Sequence, residues 1–221
     1  MSRIIKSIFL FFLLLNSAQA QNTKPPFWDD IQSFKRQDSI SFPGINKILF
    51  VGSSSFTKWT DVQNYFPDYP IINRGFGGSS LPDVIRYSED VIFKYHPKQI
   101  IIYCGENDIA ASDTVSGKMV FERFKQLFTE IRNQLPGISI VYISMKPSPS
   151  RWDTKERMIS GNERIKKYLK KQQHTKFISV WEKMLGADGK PIPGIFIKDK
   201  LHMNAKGYAI WQKSIAPYLQ K

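Results

Sequence analysis

Hydrophobic positions along this chain follow two alternating rhythms. Apolar runs with little or no interruption stand at 48–51, 70–75, 99–103 and 138–143, with a shorter one at 177–180. Runs of that length, bounded by Gly, Pro or polar residues, read as strands buried on both faces. Between them the apolar residues recur at helical spacing. Leu81, Val84, Ile85, Val91, Ile92 and Tyr95 share one face and predict a helix closed by His96-Pro97. Phe121, Phe124, Phe128, Ile131 and Leu135 predict the clearest amphipathic helix, stopped by Pro136-Gly137. Further helices are expected at 155–172 and 205–219, and a short one at 27–34, where Phe27, Ile31 and Phe34 are in helical register. Strands alternating with helices build a parallel sheet with helices on both faces.

In such a sheet, ligands bind beyond the carboxyl ends of the strands. The residues found there are Gly52-Ser53-Ser54-Ser55 after the first strand and Gly75-Phe76-Gly77-Gly78 after the second. Gly105-Glu106-Asn107-Asp108 follows the third, and Asp199-Lys200-Leu201-His202 comes after the fifth.

Length and composition narrow the picture further. A chain of 221 residues with 42% hydrophobic content is expected to form one domain over 21–221. The formal net charge is +13. Its longest basic cluster, Lys166-Lys167-Tyr168-Leu169-Lys170-Lys171, is interrupted at helical spacing and reads as the wet face of a helix. No nucleic-acid recognition motif accompanies the charge. A lone cysteine, Cys104, sits in an apolar run; it forms no intramolecular disulfide and is expected to be a buried structural residue.

Residues 1–20 have the form of a secretory leader: Arg3 and Lys6, an apolar stretch over 8–15, then Ala18-Gln19-Ala20. Cleavage after Ala20 would give a secreted or periplasmic protein without a membrane anchor. Residues 21–26, polar and proline-bearing, are expected to be a loose lead-in.

The strand-end residues fit nucleophilic catalysis. A serine hydroxyl needs a base within hydrogen-bond reach, and the base needs a partner that fixes its tautomer. His202 is the candidate base and Asp199 its orienter. Oxyanion donors are available from the Ser54 N–H, from the glycine loop at Gly78 and from the Asn107 side-chain amide. Spacing removes two rival readings of the opening stretch. A phosphate loop would need glycine, lysine and a hydroxyl where Thr57-Lys58-Trp59 stand. The elbow of ordinary α/β-hydrolases would need glycine at Phe56. The three histidines, His96, His174 and His202, are scattered, so no metal site is expected.

Taken in order, Gly52-Ser53-Ser54, Gly78, Gly105-Glu106-Asn107-Asp108 and Asp199-Lys200-Leu201-His202 resemble the four blocks of the SGNH (GDSL-type) hydrolases, and the resemblance spans 45–219. It implies a flavodoxin-like three-layer α/β/α sandwich with five parallel strands ordered 2-1-3-4-5. It also implies Ser54 as nucleophile, with Ser53 and Ser55 as second choices, and Asp199 and His202 completing the triad. Gly78 and Asn107 would join the Ser54 N–H in the oxyanion hole, with Gly77 the rival of Gly78. Family activities are hydrolysis of carboxylic esters and thioesters, often removal of acetyl groups from sugars, without a cofactor. Ser53 stands where the family carries aspartate, a position outside the triad.

The resulting expectation is an exported serine esterase acting on a small-molecule or polysaccharide ester, most simply in O-deacetylation of a carbohydrate, with Trp59, Phe76 and Trp152 as sugar-stacking aromatics. A lipase or thioesterase, and a non-catalytic carbohydrate-binding protein on the same fold, are the alternatives.

Overall fold

The structure, a computed structural model, describes residues 24–221. The predicted leader, 1–20, lies outside the described residues. Five parallel strands form one sheet: β1 (Ile48–Gly52), β2 (Ile71–Gly75), β3 (Gln99–Tyr103), β4 (Ser139–Ile143) and β5 (Thr175–Ile178). Their order is 2-1-3-4-5, as the resemblance implies. Ile48 pairs with Ile71 on one side and with Gln99 on the other, so β1 is fully enclosed.

Alternation along the central strands makes two cores. Leu49 and Val51 of β1, with Ile100 and Ile102 of β3, pack beneath the helices on one face. Those helices are α1 (Trp28–Ile40), α4 (Leu81–Arg86), α5 (Ser88–Val91), α7 (Gly117–Gln134) and α8 (Lys155–Leu169). Ile48 and Phe50, with Ile101 and Tyr103, point the other way, toward Trp59, Trp211 and Ile215. The second layer comprises α2 (Ser54–Thr57), α3 (Val62–Tyr65) and α9 (Ala205–Ile215). One further short helix, α6 (Glu106–Ala110), follows β3 at the sheet's carboxyl edge. Each large side chain buried this fully contributes about 1.5–3 kcal/mol.

Several elements differ from expectation for physical reasons. The helix expected over 81–95 is broken into α4, α5 and a 3-10 turn, Phe93–Tyr95. Val91, Ile92, Phe93 and Tyr95 are all buried, which is more than one helical face can bury against a single neighbour. The last α-helix stops at Ile215 and gives way to a 3-10 turn, Ala216–Tyr218, because Pro217 lacks the N–H that would continue it. β5 sits two residues earlier than the apolar run 177–180. It is an edge strand, and edge positions such as exposed Lys176 need not be apolar.

The lead-in over 24–27 is anchored rather than loose. The Tyr87 hydroxyl donates to the Pro26 carbonyl at 2.7 Å, and the Phe27 ring packs edge-on against Phe76. α1 is longer than its apolar spacing predicted. Asp38, near its end, accepts from Tyr95 and from Arg74, and this pins the helix to the sheet.

Candidate active site

The site begins where β1 ends. Gly52 has φ +139°, and a Cβ there would stand 1.9 Å from the Tyr103 carbonyl oxygen, so only glycine fits. The turn it permits sends the chain into α2, whose first residue is Ser54. As the first residue of a helix, Ser54 has an N–H with no intrahelical acceptor. The three adjacent serines are not equivalent in space: Ser53 and Ser55 are buried, and Ser54 is partly exposed. Beneath them, the buried Tyr208 hydroxyl donates to the Ser55 carbonyl at 2.9 Å.

The partner of Ser54 arrives from the other end of the chain. A short antiparallel bridge joins Phe196 to Met203, and the Ile197 N–H donates to the His202 carbonyl at 2.8 Å. These contacts close a tight turn around Asp199–His202, in which Lys200 takes a left-handed conformation. Asn204 locks the turn to α9 by accepting from the Lys206 and Gly207 N–H groups and donating to the Phe196 carbonyl.

Within the turn, Asp199 Oδ1 accepts the Leu201 and His202 N–H groups, each at 2.9 Å. Its Oδ2 lies 2.6 Å from His202 Nδ1, and His202 Nε2 lies 2.8 Å from Ser54 Oγ. Partial burial pushes the Asp199 carboxyl up. The hydrogen bonds from the His202 ring and from the His202 and Leu201 N–H groups outweigh that and hold it down at about 2. An ionised Asp199 favours the tautomer with hydrogen on Nδ1, leaving the Nε2 lone pair facing the serine hydroxyl.

The glycine loop and α6 complete the rim. Gly77 and Gly78 are exposed, and Gly78 has φ +86°. Phe27 lies beneath Gly78, a ring carbon 3.7 Å from where its Cβ would be. Asn107 Nδ2 donates one hydrogen to the Ser79 carbonyl at 3.0 Å, which ties α6 to the loop just after Gly78 and leaves the second amide hydrogen uncommitted by that bond. Ser79 Oγ in turn donates to the Gly52 carbonyl. Ser54 and Asp199 are thus joined through His202, and Asn107 is tied to the residue that follows Gly78.

Two expected substrate-stacking residues are overturned. Trp59 and Phe76 are both fully buried. Trp59 stacks on Tyr208 at 4.7 Å, and Phe76 is wedged between Phe27 and Tyr87, so neither ring has a face for a substrate. Trp152 is half-buried, stacks on Trp181 at 6.3 Å, and lines a cavity of about 570 Å³ together with Pro149, Phe196 and Lys200.

The sequence reading missed the buried supports. Asp108, fully buried, accepts from the Leu81 N–H at 2.9 Å and from Arg123 at 2.8 Å, joining the glycine loop's exit to α7. Burial pushes its carboxyl up despite those bonds. Glu106 accepts from the Tyr103 hydroxyl and from Lys146 Nζ at 2.9 Å, all three side chains buried under the site. Lys146 follows β4, so its place at a strand end was the one available signal. Cys104 is buried as expected, its thiol pushed well up by burial. No group of three or more His, Cys, Asp or Glu that could hold a metal occurs among the described residues. No helix among them is long and apolar enough to cross a membrane.

Residues 38–210 match the model of the GDSL-like lipase/acylhydrolase family, a span containing all four blocks. The fold is similar to that of a GDSL-like lipase from Bacteroides thetaiotaomicron, with a TM-score of 0.72 and 19% identity over 85% of this chain and 95% of that one. It is also similar to a lipase/acylhydrolase from Enterococcus faecalis (TM-score 0.62, 17% identity, 80% and 98% covered). A catalytic mutant of an acetylxylan esterase from Geobacillus stearothermophilus gives a TM-score of 0.62 and 14% identity, with 79% and 94% covered. At these identities the structures share the fold alone. No curated protein matches the sequence.

Proposed function

This chain belongs to the GDSL-like lipase/acylhydrolase family, and from that premise we propose that it is an exported serine esterase that removes acyl groups, acetyl foremost, from a carbohydrate. The observation that carries the reading is the unbroken relay from Asp199 Oδ2 to His202 Nδ1 at 2.6 Å and from His202 Nε2 to Ser54 Oγ at 2.8 Å.

Ser54 Oγ attacks the ester carbonyl carbon as His202 Nε2 takes its proton. The carbonyl oxygen becomes an oxyanion facing the Ser54 N–H, the Gly78 N–H and the Asn107 amide. Collapse breaks the bond to the alcohol oxygen, which leaves with the proton held by His202. Water then gives a proton to His202 and adds to the acyl-enzyme. The acid departs, and the proton returns to Ser54 Oγ. Asp199, ionised throughout, stabilises the imidazolium formed in each half.

Export rests on the leader form of residues 1–20. The carbohydrate reading is supported by the aromatic cavity beside the His202 turn and by the likeness to a structure described as an acetylxylan esterase. A panel of acetylated sugars and p-nitrophenyl esters of increasing acyl length tests it. The expected result is turnover of acetylated sugars and a fall in kcat/KM as the acyl chain lengthens. Preference for long acyl chains would replace this reading with that of a lipase.

A further inference from the structure

The cavity beside the His202 turn has walls of two kinds. Its floor is apolar, made by Trp152, Pro149, Pro191, Phe196 and Ile197. Its rim carries Lys190, Lys198 and Lys200, all exposed, against one carboxylate, Asp188. None of the three lysines is in an ion pair among the described residues. Its volume of about 570 Å³ lies in the range of ligand pockets.

The reaction fixes on which side of Ser54 the alcohol lies. His202 must pass its proton to the leaving oxygen, so the alcohol lies on the His202 side of Ser54. Lys200 lines the cavity two residues before His202, the Ile197 N–H holds the His202 carbonyl, and the Ser150 N–H holds the Lys200 carbonyl at 3.1 Å. The cavity is therefore built from the same turn that carries the base.

Flat apolar walls with a cationic rim suit a ring that presents C–H faces and carries negative charge. A long hydrocarbon chain would fill the floor but gain nothing from the exposed ammonium groups at the rim. A neutral sugar would leave three positive charges unused. Lysine ammoniums act as point charges and do not demand one planar acid. We propose that this cavity is the alcohol subsite and that it selects an acylated anionic glycan, with the anionic group of the sugar held by Lys190, Lys198 and Lys200. The proposal rests on the esterase reading for the position of the alcohol, but its test does not depend on turnover.

Calorimetric titration of the wild-type protein with oligogalacturonate, with a sulfated oligosaccharide of the same length and with neutral xylo-oligosaccharide is the experiment. At low salt the anionic ligands should bind about tenfold more tightly than the neutral one, and the advantage should fade by about 0.5 M salt, where exposed charges are screened. The double variant Lys190→Glu, Lys198→Glu should lose the preference for both anions. Equal affinity for all three ligands overturns the proposal. So does a preference that survives in the double variant, because the overall charge of the protein would then be the cause. Failure to hydrolyse p-nitrophenyl acetate would instead remove the esterase reading and leave the binding result standing.

Discussion

His202 Nε2 stands 2.8 Å from Ser54 Oγ although 148 positions separate the two residues. The contact exists because β1 and the loop after β5 both end at the carboxyl edge of one parallel sheet. The order 2-1-3-4-5 places the topological switch at β1 and β3, where chain connections diverge to opposite sides and leave a crevice. Ser54 follows β1 and Asn107 follows β3, so both the serine and the amide come from strands that border this crevice.

Replacing Asp199 by Asn removes the carboxylate that favours hydrogen on Nδ1. Turnover should fall by about 100- to 10,000-fold, with little change in KM. Stability should report the same group. Its carboxyl is held at about 2 in the folded protein, against roughly 3.9 when unfolded. A depressed carboxyl stabilises the fold above the unfolded value and loses that contribution as pH falls through the folded one. The melting temperature of wild type should therefore exceed that of Asp199→Asn at neutral pH, and the gap should narrow between about pH 4 and pH 2. A gap that widens on acidification would contradict the assignment.

Asn107→Ala should lower kcat by about 100- to 1,000-fold while leaving KM within a few-fold, since the amide's free hydrogen is assigned to a charge that exists only in the transition state. Steady-state kinetics with p-nitrophenyl acetate decide this. A change confined to KM would assign Asn107 to substrate binding instead.

Gly52→Ala should fail for a structural reason. The added methyl would stand 1.9 Å from the Tyr103 carbonyl oxygen at a backbone angle that alanine resists. A destabilisation of at least about 3 kcal/mol in urea unfolding is expected. By contrast, a Cβ at Gly77 would meet nothing beyond its chain neighbours closer than Ser54 Cβ and Thr57 Oγ1, each 4.0 Å away, so Gly77→Ala should remain folded.

Lys146→Met strands the buried Glu106 carboxylate with the Tyr103 hydroxyl as its remaining side-chain partner. A loss of about 3–5 kcal/mol is expected, and adding Glu106→Gln should restore part of it. Urea unfolding of the single and double variants measures both. A single-variant loss under about 1 kcal/mol would show that the pair does not brace the site.

The sheet was legible because buried parallel strands write themselves as apolar runs, and β3 was read to the residue. The edge strand β5 was less so, since Lys176 faces solvent and breaks the run. The kinked segment after Leu81 was hidden because burial of Val91, Ile92, Phe93 and Tyr95 together depends on what surrounds them, not on their spacing. At the site, Ser54, Asn107, Asp199 and His202 were recognisable by position after strands and by order. Trp59 and Phe76 stand near strand ends too, but the turn through α2 carries Trp59 back into the core, and Phe27 covers Phe76. Lys146 lay in a stretch rich in Ser and Pro that reads as an exposed loop. Nothing local marks a lysine whose partner, Glu106, is 40 positions away.

The central claim is that Ser54 is the nucleophile, and covalent labelling with a fluorophosphonate tests it most directly. Wild type should take up one label, located by peptide mass spectrometry on Ser54. Ser54→Ala should take up none and should lose hydrolysis of p-nitrophenyl acetate. A label on Ser53 or Ser55, or undiminished hydrolysis in Ser54→Ala, would contradict the account.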